Sequence, residues 1–260
     1  MSTPSVLVAR DGAVTTLTLN RPDRKNALDR SAWIALREAV EDVADDGTTR
    51  AMVVQGAADT FCSGADVTAG GGPAAHPSAR MRLITSAVVA LHEIPVPTIA
   101  KVDGDAVGAG WNLALACDLV VATTRSRFSQ IFARRGLSVD CGGSWLLPRM
   151  VGVHRAKELL FLPDLLDATA VHQLGLVNRL VDAADLESTV AELAARIAAG
   201  PPVALAQNKA LVNAAFNGTF AEAVARENDA QLINFATDAP VGRAAAVARE
   251  TPRFEGRWQL

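Results

Sequence analysis

The sequence predicts an α/β fold that is followed by a helical C-terminal region. Short apolar stretches typical of strands alternate with helical patterns until about residue 145, and almost every later pattern is helical. Of the 260 residues, 50% are hydrophobic, which is enough for a sizeable core in one α/β domain or in one domain with an extension. No low-complexity linker divides the chain.

The first half is predicted to contain strands that alternate with helices. An apolar stripe from Trp33 to Val43 has helical spacing behind the capping candidates Asp29 and Ser31, and a second helical pattern covers roughly residues 79–91. Period-two alternation or short apolar runs predict strands at residues 14–19, 51–55 and 98–102. A glycine-rich stretch at residues 68–77 is interpreted as a surface loop or lid.

The second half is predicted to be mainly helical. Thr219 and Glu222 have the spacing of a capping box before the last long helix. One strand is predicted here, at residues 175–181. Helices are predicted at residues 156–162, 186–197, 203–216 and 220–235.

Composition excludes several classes of function. The net charge is −3, from 25 basic and 28 acidic residues that are interspersed, so no single-sign field would attract nucleic acid or a membrane surface. The cysteines Cys62, Cys117 and Cys141 are odd in number and have no metal-ligand spacing, so we expect no disulfide framework and no metal. Because the chain also shows no signal-peptide pattern and no bilayer-length apolar run, we expect a cytoplasmic protein.

The stretch VDGDAVGAGWNLA, residues 102–114, has three closely spaced glycines between a predicted strand and a predicted helix. A dinucleotide-binding fingerprint would need a glycine where Leu113 stands, and the Walker pattern is also missing. A helix that begins near Ala109 would leave free backbone N–H groups at its N-terminus. A second glycine turn lies at residues 61–67, so the two turns together could hold one oxyanion. The alternative is that these glycines serve only tight turns and close packing.

The order of several motifs resembles the crotonase, or enoyl-CoA hydratase/isomerase, superfamily over nearly the whole chain. The resemblance begins with a CoA-binding segment, NRPDRKNAL, and continues through the two glycine turns. The matching segments are residues 20–28, 61–67, 102–114, 117–118, 128–130, 136–145 and 175–178.

This resemblance implies a fold, a ligand and a set of site residues. It implies a spiral of ββα units over residues 1–198 that binds acyl-CoA, and a C-terminal helical region over residues 199–260 that forms trimers or hexamers. The thioester carbonyl would lie between the N–H groups of Ala65 and Ala109, although the family usually has glycine at position 109. The implied CoA contacts are Lys25, Ala27, Asp66 and Arg249. No cofactor is expected apart from the CoA thioester, which is the substrate.

The acid/base residues depart from the family pattern. The two glutamates of typical hydratases are replaced by Asn112 and Phe132, so the two-glutamate hydration mechanism is absent. Asp140 lies where some isomerases and dehalogenases of the superfamily carry a catalytic aspartate. The alternative role of Asp140 is that of an N-cap for the helix that contains Trp145. Asp66 has a similar alternative, in which its side chain orders its own turn.

We therefore expect an acyl-CoA enzyme that moves a double bond, or performs a related proton transfer, with Asp140 as acid and base. Within enzymes, the alternative is that Asp140 attacks the substrate as a nucleophile, in the manner of a dehalogenase or thioesterase. Outside enzymes, the alternative is a protein that only binds acyl-CoA. Retention of Asp140 after loss of both glutamates favours catalysis.

Overall fold

The structure, a computed structural model, describes residues 3–66 and 76–258. Most of the predicted surface loop at residues 68–77 lies outside the described residues. The strands are β1 (Val6–Asp11), β2 (Val14–Leu19), β3 (Ala51–Gly56), β4 (Thr98–Val102), β5 (Asp105–Val107), β6 (Leu119–Thr123), β7 (Arg127–Ser129), β8 (Leu166–Asp167) and β9 (Arg179–Val181). The helices are α1 (Arg30–Asp45), α2 (Pro77–Glu93), α3 (Ala109–Ala116), α4 (Gly143–Val151), α5 (Val153–Phe161), α6 (Ala168–Gln173), α7 (Leu186–Ala198), α8 (Pro202–Asn213), α9 (Phe220–Phe235) and α10 (Ala239–Ala248).

The strands form two sheets that are joined by ββα units. The large sheet has the order β1-β2-β3-β4-β6-β9, and the small sheet has the order β5-β7-β8. After β4, the chain enters β5 of the small sheet and then α3, and β6 is likewise followed by β7 and then, beyond a short connection, α4. In the unit that starts with β3, the described residues before α2 form two isolated bridges, Cys62 to Ala106 and Ala65 to Leu28, in place of a second strand. The chain segments that follow β3, β4 and β6 therefore lie side by side at one end of the large sheet.

Two apolar cores lie on the two faces of the large sheet. Met52 and Val54 of β3 belong to the main core, whereas Ala51 and Val53 pack with Val190 of α7 in a smaller core. Successive side chains of a strand point to opposite faces, so a parallel strand that is covered on both faces is apolar throughout. This explains why residues 51–54 form an unbroken apolar run.

Most of the predicted elements are confirmed, and the differences have local causes. The predicted strands at 14–19 and 98–102 match β2 and β4, and Asp29 is the N-cap of α1, where its side chain accepts a hydrogen bond from Ala32 N–H. The prediction of one long strand at 175–181 was wrong, because Gly175 has a positive φ of 77° and only Arg179–Val181 pairs with β6. The elements that were not predicted are β1, β5, β6, β7, β8, α6 and α10, and β8, for example, has only two residues, which are too few to show a pattern.

The helices α8 to α10 leave many apolar side chains exposed. Phe220 and Val247 are 85% and 88% exposed, and neither α8 nor α10 contains a buried residue. Other large apolar side chains exposed in this region are Val212, Phe216, Leu232, Phe235 and Trp258. Contiguous exposed apolar surface is typical of protein–protein interfaces. Within the described residues, no helix is both long and apolar enough to cross a membrane.

We expect this protein to be a trimer or a hexamer in solution, because association would remove the apolar surface of α8 to α10 from water. Multi-angle light scattering should then give a mass three or six times the 27.2 kDa of one chain. A monomer at micromolar concentration would contradict this expectation. Phe220→Ser, which changes the most exposed phenylalanine of this surface, should weaken association while the fold of each chain is preserved.

Candidate active site

The first glycine turn is held against the segment that resembles a CoA-binding motif. Leu28 N–H donates to the Gly64 carbonyl at 2.8 Å, and Asp66 N–H donates to the Leu28 carbonyl at 3.0 Å. Ser63 N–H donates to the Lys25 carbonyl at 3.0 Å. The two segments therefore form one unit, in which the Gly64 carbonyl and the Asp66 N–H bond to Leu28 and the Ala65 N–H between them takes no part in these bonds.

The second glycine turn packs directly on the first. Val107 N–H donates to the Cys62 carbonyl at 2.9 Å, and this bond continues the bridge between the two segments. A Cβ atom at Gly110 would lie 2.2 Å from that same Cys62 carbonyl oxygen, and one at Gly64 would lie 2.8 Å from the Val107 carbonyl oxygen. Gly64 and Gly110 are thus required for the close approach of the two turns. This agrees with the alternative interpretation from the sequence, in which the glycines serve tight turns and close packing. The same packing brings Ala65 and Ala109 to one pocket.

That pocket has a volume of about 300 Å³ and contains both predicted oxyanion donors. Ala65 and Ala109 line it, and Ala109 is the first residue of α3, where a helix has no acceptor for its own N–H. Among the backbone hydrogen bonds that the described residues make with one another, neither the Ala65 nor the Ala109 N–H has an acceptor. Two such N–H groups at one pocket can bind an oxygen that gains negative charge.

Asp140 also lines this pocket, and its surroundings favour the protonated acid. Its Oδ1 atom is buried and, within the described part of the chain, has no hydrogen-bond partner. Burial raises the pKa of the Asp140 carboxyl, and the neighbouring Cys141 thiol and the Arg80 guanidinium only partly offset this effect. The carboxyl group can therefore exchange a proton at a higher pH than an exposed aspartate.

The interpretation of Asp140 as the N-cap of the following helix was wrong. Helix α4 starts at Gly143, its N-cap is Gly142, and no side chain caps it. The Asp140 side chain instead faces the pocket, and two residues with positive φ, Cys141 at 51° and Gly142 at 79°, turn the chain from Asp140 into α4.

Asn112 and Phe132, the positions at which the resemblance implies the hydratase glutamates, differ in their relation to the pocket. Phe132 lines the pocket with its ring, which offers no group for proton transfer. Asn112 is fully buried and is not among the described residues that line the pocket. Its Nδ2 donates to the Asp140 carbonyl at 2.8 Å, and its Oδ1 accepts from Gln130 Nε2 at 2.8 Å. Among the described residues, the carboxylates that line this pocket with the predicted oxyanion donors are Asp140 and Asp66, and Asp66 accepts a hydrogen bond from the Arg21 guanidinium.

The other predicted contact residues differ in how close they lie to the pocket. Asp66 lines it but does more than order its own turn, because its Oδ2 accepts from Arg21 Nη2 at 2.9 Å. The Ala27 carbonyl accepts from the same guanidinium. Lys25 is exposed, and its Nζ lies 3.9 Å from Asp105 Oδ2. Arg249 ends α10 and is not among the residues that line the pocket in one chain, so its role as a CoA contact stays a prediction.

Sequence reasoning missed several residues of the pocket. Arg80 of α2 and Arg135 supply positive charge, and Leu137 supplies apolar surface. No sequence pattern indicated them, because only the packing of α2 on the turn before α4 brings them together. Two tryptophans near these segments are not among the described residues that line the pocket. Trp111 is buried against Phe128, and Trp145 stacks under the Arg149 guanidinium.

Cys141 has the surroundings of an inert thiol. It is buried, and burial together with the adjacent Asp140 carboxylate raises the pKa of its thiol. Nucleophilic attack needs the thiolate, which this environment disfavours. All three cysteines of the chain are free and buried.

Comparison with known proteins shows which family this chain resembles. Residues 9–257 match the family model described as enoyl-CoA hydratase/isomerase. The chain is 36% identical to the 1,2-epoxyphenylacetyl-CoA isomerase of Escherichia coli K12, with 94% of this chain and 95% of that protein covered. It is 30% identical to the crotonyl-CoA hydratase of Syntrophomonas wolfei, with 98% and 99% covered.

The fold has equally close counterparts among solved structures. An enoyl-CoA hydratase from Polaromonas sp. JS666 superimposes with a TM-score of 0.90 at 33% identity, and 95% of this chain and 98% of that chain are covered. The crotonase-like fold predicted from the sequence is therefore confirmed. The chain belongs to the enoyl-CoA hydratase/isomerase family and has the fold and the acyl-CoA chemistry of that family in common with its relatives.

Proposed function

We propose that this protein is an acyl-CoA isomerase, or a related proton-transfer enzyme, in which Asp140 is the acid and base. The observation that carries the proposal is the position of the buried, unpaired Oδ1 of Asp140 at the pocket of the Ala65 and Ala109 N–H groups, within the described part of the chain. Asn112 and Phe132 supply no second carboxylate. One carboxylate beside an oxyanion site suffices for proton transfer between two carbons.

The reaction can be written for a 3-enoyl-CoA. The Asp140 carboxylate takes a proton from C2, and the electron pair of the broken C–H bond forms an enolate whose negative charge lies on the thioester oxygen. The N–H groups of Ala65 and Ala109 bind that oxygen. The protonated Asp140 then donates its proton to C4 as the enolate reforms the carbonyl, and the double bond lies between C2 and C3. Atoms and charge balance, and neither water nor a second substrate is consumed.

The electrostatics of Asp140 favour this role over nucleophilic attack. A base that returns its proton in each cycle works best when its pKa is close to the pH of the reaction, and burial raises the pKa of Asp140 in that direction. A carboxylate nucleophile gains nothing from a raised pKa, since it reacts only in the ionised form. Among the relatives, the Escherichia coli protein is named an isomerase, which supports the same choice.

The proposal is tested with a panel of CoA thioesters in D₂O. We expect 3-hexenoyl-CoA to become 2-hexenoyl-CoA, and phenylacetyl-CoA to exchange its α-protons for deuterium, because both reactions pass through the enolate. Mass spectrometry reads both results. Addition of water to 2-hexenoyl-CoA should be much slower, because no second carboxylate is available to activate the water.

Three other outcomes would overturn this assignment. Rapid hydration of 2-hexenoyl-CoA without isomerisation or exchange would show that another group activates water. Calorimetric binding of acetyl- or phenylacetyl-CoA with no turnover and no exchange would indicate a protein that only binds acyl-CoA. A mass increase on Asp140 after rapid quenching would indicate covalent catalysis instead.

A further inference from the structure

We propose that Asn112, which stands where hydratases of the family have a catalytic glutamate, is a positioning residue that holds the turn of Asp140. This inference rests on the proposed function of Asp140. Asn112 is fully buried in α3, and its side-chain amide joins three segments: its own helix, Gln130 after β7, and the backbone of Asp140. Asn112, at a position where hydratases have an acid/base residue, would thus hold the backbone of Asp140, the acid/base residue of this protein.

The hydrogen-bond chain has one consistent direction. The Asp140 carbonyl can only accept, so the atom of Asn112 that lies 2.8 Å away must be the NH₂ group. The amide oxygen of Asn112 then faces Gln130, which must present its own NH₂ group at 2.8 Å. Gln130 is also buried, with 1% of its surface exposed. The direction of the Asn112 amide therefore sets that of the Gln130 amide, whose Oε1 atom is buried and has no hydrogen-bond partner among the described residues.

The turn that Asn112 contacts is one that needs support. Cys141 is not a glycine but has a φ of 51°, a conformation that costs about 1–3 kcal/mol for such a residue and persists only where the surroundings enforce it. The Asp140 carbonyl accepts from Gly143 N–H at 3.1 Å in addition to Asn112 Nδ2. A Cβ atom at Gly143 would lie 2.5 Å from Asn112 Nδ2, so the turn is packed on the amide itself.

The consequence concerns the placement of the carboxyl group. The Asp140 Oδ1 atom has no hydrogen-bond partner among the described residues, and the side-chain hydrogen bond to this carboxyl comes from Cys141, the next residue of the same turn, so the turn decides where the carboxyl lies. Its position depends on its backbone, and Asn112 is the side chain that donates to the Asp140 carbonyl. Proton transfer requires the two atoms within hydrogen-bond reach, and a misplacement of about 1 Å can lower a rate about a hundredfold.

The test replaces Asn112 by leucine, which has a similar shape but cannot donate. We expect the maximal rate of α-proton exchange of phenylacetyl-CoA in D₂O to fall about ten- to a hundredfold, whereas KM and the calorimetric Kd for the same thioester change little. Gln130→Met leaves the Asn112–Asp140 hydrogen bond in place and removes only the hydrogen bond from Gln130 Nε2 to Asn112 Oδ1. We therefore expect a smaller decrease in the same rate. The Gln130→Met variant also tests the proposal if Asn112→Leu does not fold.

A matched control separates positioning from stability. Thr15 of β2 is as buried as Asn112 and shares a 2.7 Å hydrogen bond with Thr49, far along the strand from the pocket. Thr15→Val should lower the free energy of unfolding, since it removes a buried hydrogen bond, but should leave the exchange rate of the folded protein unchanged.

The outcomes distinguish this inference from the function on which it rests. If Asn112→Leu and Gln130→Met lose stability like Thr15→Val but keep the full exchange rate, then Asn112 is structural and the inference is wrong. If the wild-type protein exchanges no protons, or if loss of the Asp140 carboxylate leaves exchange unchanged, the proposed function fails first and the inference fails with it.

Discussion

Replacement of Asp140 by asparagine is expected to reduce proton exchange and isomerisation by a factor of about 10²–10⁴, the usual contribution of a positioned acid/base group. Asparagine has nearly the shape of aspartate, but its amide cannot accept and return a proton. Ala65 and Ala109 remain in place, so the affinity for phenylacetyl-CoA should stay within a few-fold of the wild-type value. Exchange rates in D₂O and calorimetry measure the two effects separately.

The same variant also gives a prediction for stability with a definite sign. Because burial raises the pKa of Asp140 in the folded protein, this carboxyl stabilises the fold only while it is protonated, and that contribution is lost as the pH rises through the raised pKa. Above the pKa of an exposed aspartate the wild-type protein therefore carries a burial penalty that an uncharged amide does not, and Asp140→Asn should be at least as stable in urea denaturation at neutral pH. A variant that lost both activity and stability would indicate a structural role for Asp140.

The second large effect is expected from Gly110→Ala, which introduces a single methyl group between the two glycine turns. Its Cβ atom would lie 2.2 Å from the Cys62 carbonyl oxygen, so the bridge between the turns must open. Ala109 is the adjacent residue, and its N–H would move away from the Ala65 N–H. Loss of one oxyanion donor typically lowers a rate about 10²–10³-fold. Overpacking should also lower the free energy of unfolding by about 1–3 kcal/mol.

Gly242→Ala is the matched control for this substitution. Gly242 also lies within a helix, α10, but its Cβ atom would meet only the Phe254 ring, at the ordinary contact distance of 3.5 Å. Alanine is a better helix former than glycine by about 1 kcal/mol, so this variant should be neutral or slightly stabilised and fully active. Equal losses in both variants would mean that helical glycines in general, rather than the contact between the turns, matter for activity.

The sequence alone determined the chain's family, several of its strands and helices and the positions of its two glycine turns. The reason is that these features are local. The alternation in β2, the apolar run of β3 and the capping box of Thr219 and Glu222 each depend on residues close together in the chain, and each is found as predicted. The glycines of both turns are also read directly from the sequence, because close backbone approach tolerates few other residues.

The tertiary structure decided what the polar residues at the site do. From the sequence, Asp140 could be either an acid/base residue or the N-cap of the following helix. The structure excludes the role of N-cap, because α4 starts at Gly143 and its N-cap is Gly142. Asn112 had been identified only as a lost glutamate, and its bond to the Asp140 carbonyl joins residues 28 positions apart. The partner of a buried polar group and the pKa of a carboxyl depend on atoms that distant segments bring together, so no local pattern of the sequence specifies them.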